Sequence, residues 1–203
     1  MAKTPVTGVA ARPYATSKRA ATRDATRQRI VDATIELHRT VGDVGLTITE
    51  VARRAEVSRV TVYRHFPDQA SLLSACTGHY FAQHAPPDPA AWSSIPDPLE
   101  RLEVALRAVY GWFDETGEMV GRGEEDAPTN PVLAELLVPF GVAWDRMRDG
   151  IDAGWPSRSM VRRAMIGHAL AFSTWKSLRR TQGLSADDAI SSMVRSVAAV
   201  MSA

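Results

Sequence analysis

In the run TITEVARRAEVSRVTVYRHF, residues 47–66, a helical register opened by Ser58 turns Val62 and Phe66 to one side. It leaves Arg59, Val60, Thr61, Tyr63, Arg64 and His65 on the other. Guanidinium, hydroxyl, phenol and imidazole groups on one short helix are donors suited to phosphate oxygens and base edges. Arg59 has the geometry to read guanine with two hydrogen bonds, and the methyls of Val60 suit a thymine methyl. Ser58 as N-cap would leave a helix N-terminus pointing outward, a further donor to phosphate. Thr47 and Thr49, at the start of the preceding helix, add hydroxyls for the backbone of a duplex. Chemistry of other kinds is missing from the chain: there is no Gly-rich phosphate loop, no H-E-x-x-H pair and no nucleophile elbow. The prediction is a binding protein for double-stranded DNA, with no enzymatic activity and no cofactor.

The elements that must hold these groups are legible around them. Thr47 and Glu50 form a T-x-x-E capping box, with Leu46 and Val51 at the flanking hydrophobic positions. Ile48, Val51, Ala52 and Ala55 then follow the spacing of one buried helical face. Val57 and Val62 repeat the same device around Ser58. A first helix over about residues 22–40 carries Ile30, Ala33, Thr34 and Leu37 inward, and a G-x-x-G-L-T link at 42–47 follows it. After Pro67, Asp68 caps a fourth helix with Leu72, Leu73, Cys76 and Tyr80.

The segment from about residue 23 to 83 resembles the TetR family of transcriptional regulators, most recognisably in VSRVTVYRHF with the G-x-x-G-L-T link before it and FPDQASLL after it. The resemblance covers roughly a third of the chain. It implies that Tyr63, His65 and the N-terminal end of the second helix approach phosphates while Thr61 and its neighbours approach bases. It also implies a ligand pocket in the remainder and a dimer built on the last two helices. Three positions depart from the family's usual pattern: Glu56 stands where Gly is common, Val60 where a small residue is common, and Gln69 where Lys is common. If position 56 needs a positive φ, Glu carries strain there.

Charge is divided along the chain. Residues 1–65 hold 12 Lys and Arg against 6 Asp and Glu, and the rest holds 12 against 17. A basic front and an acidic rear suit a DNA-binding head on a body that does not bind DNA. Residues 1–22 are expected as a flexible basic arm, and Lys3, Arg12, Lys18, Arg19, Arg23, Arg27 and Arg29 face one acid, Asp24, up to residue 29; the arm either adds phosphate or minor-groove contacts or is simply solvated. The head spans 23–84. Residues 85–97, rich in proline, are expected as a linker, and 98–203 as the body. No apolar run is long enough to cross a bilayer, no secretory leader is visible, and Cys76 is the single cysteine, which together point to a reducing cytoplasm.

The body reads as helical throughout, so the fold class is all-α: an N-terminal three-helix helix-turn-helix domain followed by a helical effector-binding and dimerisation domain. Helices are expected over 98–116, 131–153 (kinked or restarted at Pro139), 159–181 and from 185 onward, with a polar break at 117–130. Trp112, Phe113, Met119, Trp144, Met147, His168, Phe172 and Trp175 are the candidate lining of a pocket for an apolar or aromatic small molecule. The acids between Asp114 and Asp126 read either as a solvated loop or as a bias toward a cationic effector. The apolar stripes Ile166, Leu170, Ser173 and Ile190, Met193, Val194, Val197, Met201 are expected to pair with a second copy in a homodimer. The functional expectation is a repressor released from a palindromic operator by a small molecule. The alternatives are an architectural DNA-binding protein without a ligand, or an activator.

Overall fold

A computed structural model describes residues 13–200, and every regular element among them is helical. The expectations for Lys3 and Arg12 of the basic arm, and for Met201, lie outside the described residues. The chain divides into two compact units, Met1–Cys76 and Thr77–Ala203.

In the first unit α1 (Pro13–Gly45) packs on α2 (Ile48–Arg54) and α3 (Arg59–His65), with α4 (Gln69–Gln83) beginning against them. Ile30, Val31, Leu37, Val51, Val62, Phe66, Leu72 and Cys76 form one buried cluster. Thr34 is also buried, and its hydroxyl donates to Ile30 O at 2.7 Å, so no polar group is stranded there. Gly42 leaves the helical conformation at φ 68, which ends the regular part of α1 at the expected link. The start of α1 differs from expectation: residues 13–21 are helical. Burial raises the Cys76 thiol to about 12, which leaves it unreactive.

The second unit is arranged around α6 (Pro98–Asp126), capped by Asp97 Oδ1, which accepts from Glu100 N at 2.8 Å. Leu102, Leu106, Val109, Tyr110 and Phe113 on α6 are buried against α7 (Pro131–Asp152), α8 (Met160–Leu170), α9 (Phe172–Trp175) and α10 (Ala186–Ala199). Residues 85–97, expected as a linker, are instead folded into this unit: they include α5 (Ala90–Ser93), whose Trp92 is buried in its core. The expected polar break at 117–130 is also corrected, since α6 continues to Asp126. Gly117 and Gly121 are packing sites within it. A Cβ on Gly117 would lie 2.5 Å from a ring carbon of Trp175, and one on Gly121 3.3 Å from Phe172. α7 passes through Pro139 without ending.

The helix expected over 159–181 is broken. α8 ends at Leu170, Ala171 takes an extended conformation (φ −68, ψ 139), and after α9 the residues Lys176–Thr181 form a π-helical stretch. Two carbonyls freed by the break find distant donors: the Tyr110 hydroxyl donates to Ala169 O at 3.0 Å, and Trp144 Nε1 donates to Leu170 O at 3.1 Å. Gly183, at φ +71, and the Ser185 cap of α10 close the turn.

Candidate functional site

The recognition surface is built from its caps upward. Thr47 Oγ1 accepts from Glu50 N at 3.2 Å, but the Glu50 carboxylate turns to Arg53 and does not reach back to Thr47, so only half of the capping box forms. The chain then turns through Glu56 at φ 55, the left-handed conformation expected for that position. Ser58 Oγ accepts from Thr61 N at 3.1 Å and opens α3. Val62 and Phe66 are buried beneath α3, which aims the opposite side at solvent. There Val60 is 78% exposed and Tyr63 53%, and Arg59 and Arg64 are exposed beside them. Thr49 is exposed on α2.

Two of the expected contact groups are less free than the sequence implies. The Thr61 hydroxyl lies 2.9 Å from Ser58 Oγ and is half-buried, so it is shared with the cap. His65 is half-buried, with its Nε2 shut off from solvent and without a hydrogen-bond partner in the protein, so that nitrogen does not face a phosphate. Burial first, then the charges of Arg64, Arg23 and Arg27, hold the His65 pKa below its ordinary value. Arg27 belongs to the basic run for which sequence raised phosphate or minor-groove contacts. Its guanidinium lies 4.7 Å over the Phe66 ring.

In the second unit the expected pocket lining comes together as one aromatic cluster. Trp112 lies 5.5 Å from Trp144, and Phe113 lies 5.2 Å from Phe172 and 5.5 Å from Trp175 (ring centroids). Met147 is buried in the same core and Met119 is half-buried. Phe81 and Phe140, 4.1 Å apart, extend the cluster, and Phe81 carried no signal beyond its apolar character on α4. His168 is not part of it. The ring is exposed, its Nδ1 lies 3.3 Å from Thr174 Oγ1, and it lines a groove of about 170 Å³ with Ser173, Ser177, Leu178 and Met193. The break at Ala171 changes the register, which is why His168 and Ser173 share a face that an unbroken helix would separate.

Two acids of the 114–126 stretch, Asp114 and Glu125, have partners within the chain. Asp114 accepts from Trp175 Nε1 at 3.2 Å and from Arg179 at 3.1 Å, and Glu125 pairs with Arg122 and Lys176. Nothing in this arrangement favours a cationic ligand. Burial raises the pKa of Glu124.

The expected dimer stripes are corrected at four positions. Ile166, Leu170, Ile190 and Val197 are fully buried in the core of their own unit, because the apolar face of α6 already covers them. Met193 and Val194 are half-buried at its edge, and Ser173 is exposed. The apolar groups that α8 leaves exposed are Met160, 90% accessible, and Val161, 60%.

Two short capped helices at a fixed turn, with the second helix presenting arginine, tyrosine and valine outward, define a DNA-binding protein of the helix-turn-helix class. The profile of bacterial regulatory proteins, tetR family, matches residues 30–76. The repressor KstR of Mycolicibacterium smegmatis is 32% identical over 142 residues, covering 68% of this chain and 62% of that protein. A regulator in the dhlA 5' region of Xanthobacter autotrophicus is 33% identical over 103 residues, covering 47% and 48%. The chain thus spans less than two thirds of the length of these curated relatives. The whole fold is similar to that of a TetR-like transcriptional regulator from Rhodococcus sp. RHA1, with a TM-score of 0.63 at 14% identity, over 87% of this chain and 96% of that one. The chain belongs to the TetR family of transcriptional regulators.

Proposed function

We propose that the chain is a ligand-responsive transcriptional repressor that binds a roughly palindromic operator as a homodimer and is released by an apolar or aromatic small molecule. The observation that carries the DNA-binding part is α3. The Ser58 cap and the buried Val62–Phe66 pair hold Arg59, Val60, Tyr63 and Arg64 toward solvent, where base edges and phosphates would meet them. KstR, to which the chain aligns over 68% of its length at 32% identity, is named as a repressor, and this supports repression over activation.

The aromatic cluster supports a ligand. Trp112, Trp144, Phe113, Phe172 and Trp175 meet on a helix whose glycines let the rings approach closely, and they fill the space where an effector would lie. A flat apolar molecule inserted among them would exchange ring–ring contacts for ring–ligand contacts, with little loss of buried area. Such a ligand acts only through a preference for one of two arrangements of the paired heads. Two heads related by a two-fold axis would occupy successive major grooves. The faces left for the partner are Met160 and Val161 on α8, Ser173 and Ser177 after the break, and the edge of α10 at half-buried Met193.

The test is binding of the purified chain to the DNA just upstream of its own gene, with unrelated DNA as competitor. Saturable binding that survives the competitor, and that a hydrophobic aromatic compound weakens, is the expected result. Equal binding to both DNAs would overturn the operator reading.

A further inference from the structure

We propose that Arg19, Arg23 and Arg27 form a phosphate-binding stripe on the N-terminal half of α1 that extends the DNA surface of α3 along the duplex backbone. The inference rests on the DNA-binding reading above and adds a second set of contacts to it.

The register is the first argument. At 3.6 residues per turn, positions 19, 23 and 27 fall within about 80° of one another, straddling the direction taken further along by Ile30, Thr34 and Leu37. One face of α1 is therefore arginine up to residue 27 and apolar from residue 30, where Ile30, Thr34 and Leu37 are buried. The change falls where the helix passes beyond the packed core and has nothing left to bury. The three arginines are exposed.

The second argument is position. The Arg27 guanidinium sits 4.7 Å over the ring of Phe66, the residue that ends α3. The stripe thus begins beside Arg64 and His65, and the fields of both Arg23 and Arg27 reach the His65 ring. It adjoins the C-terminal end of the recognition helix.

The third argument is charge. Between residues 18 and 29 the single acid is Asp24, whose Oδ1 lies 4.0 Å from Arg23 Nε, with both side chains exposed, and such a loose pair leaves the arginine's charge available. A face that served only solubility would mix signs. Arginines gathered on one face beside another arginine repel one another, and a polyanion relieves this by exchanging its counterions for them. The phosphodiester backbone of duplex DNA has that chemistry, and contacts to it carry no base preference.

The test needs no operator. The full chain binds a random-sequence duplex, and log Kd is followed against log salt between about 50 and 200 mM NaCl. R19A/R23A is expected to lower the slope by about 0.9 per lost contact, about 1.8 per head. K18A/R29A removes the same charge from the far side of the same segment and should leave the slope near wild type. R19K/R23K should keep it, since an ammonium still meets a phosphate. Far-UV circular dichroism checks that each variant keeps its helix. An unchanged slope in R19A/R23A would overturn the stripe, as would an equal fall in K18A/R29A or a loss in R19K/R23K. Absence of salt-dependent duplex binding by the wild-type chain would instead remove the DNA-binding reading on which the stripe rests.

Discussion

Glu56 holds the turn between α2 and α3 at φ 55, where a Cβ is crowded and glycine is at ease. Glu56→Gly removes that strain but adds freedom to the unfolded chain, and the two effects partly cancel. The expected net result is a gain of about 0.5–1 kcal/mol in urea unfolding with DNA affinity unchanged. A loss of stability would mean that the turn is held by Glu56 itself. His65 gives a pH effect of definite sign. Its pKa is below the ordinary 6.5, so as pH falls through that value the unfolded chain takes up the proton first. Stability is therefore full above about pH 7, falls as pH drops through the unfolded value, and levels off below the folded one. Urea unfolding of the wild type and His65→Gln at several pH values should show this part of the slope only in the wild type. Parallel curves would refute it. Position 56 was legible through the family resemblance, which commonly has Gly at that turn. The inward Nε2 of His65 was not, since a residue one step from a buried Phe can turn its ring either way.

The helices show how the same residue type acts differently by context. Gly111 has nothing within 4 Å of where its Cβ would be, so Gly111→Ala should stabilise α6 by about 0.5–1 kcal/mol through helix propensity alone. Gly117→Ala drives a methyl into Trp175 and should instead destabilise by about 1–3 kcal/mol, with a change in near-ultraviolet circular dichroism as the ring moves. Equal effects of the two substitutions would mean that Trp175 does not rest on Gly117. From sequence, Gly117 and Gly121 in an acidic stretch read as a break, because a glycine that admits a ring and a glycine that ends a helix look alike until the ring is placed. The break at Ala171 is the converse. No Gly or Pro stands between His168 and Trp175, and the freed carbonyls are met by Trp144 and Tyr110, 26 and 59 residues away. Caps are local: Ser58, Asp68, Asp97 and Ser185 each act within three residues. Ser58, Asp68 and Ser185 were readable from sequence for that reason, and Asp97 is the same device before Pro98.

At the scale of the whole molecule, the outward apolar surface of α8 separates residues that serve the chain's own core from those available to a partner. Val161→Glu should shift a dimer to monomer in sedimentation velocity and weaken operator binding about a hundredfold or more, through loss of the linked second head. Leu170→Ala should instead cost about 2–5 kcal/mol of unfolding free energy, because that side chain is buried at home. If Val161→Glu left the dimer intact, α8 would not be the contact.

The amino-acid sequence by itself determined the class of the head. Its signals are short-range: caps three residues apart, apolar spacing along one helix, and donors on the opposite face, each acting through the local geometry of a turn or a helix. It also determined that the rest is helical and rich in buried aromatics. Only the tertiary structure decided which apolar stripe each helix spends on its own core. Ile166 and Ile190 are taken by α6, Arg27 of α1 comes to lie beside the end of α3, and the Trp-lined region fills itself with its own rings. Periodicity reports that a face is apolar or charged and is silent about what covers it, because that depends on elements far away in the chain.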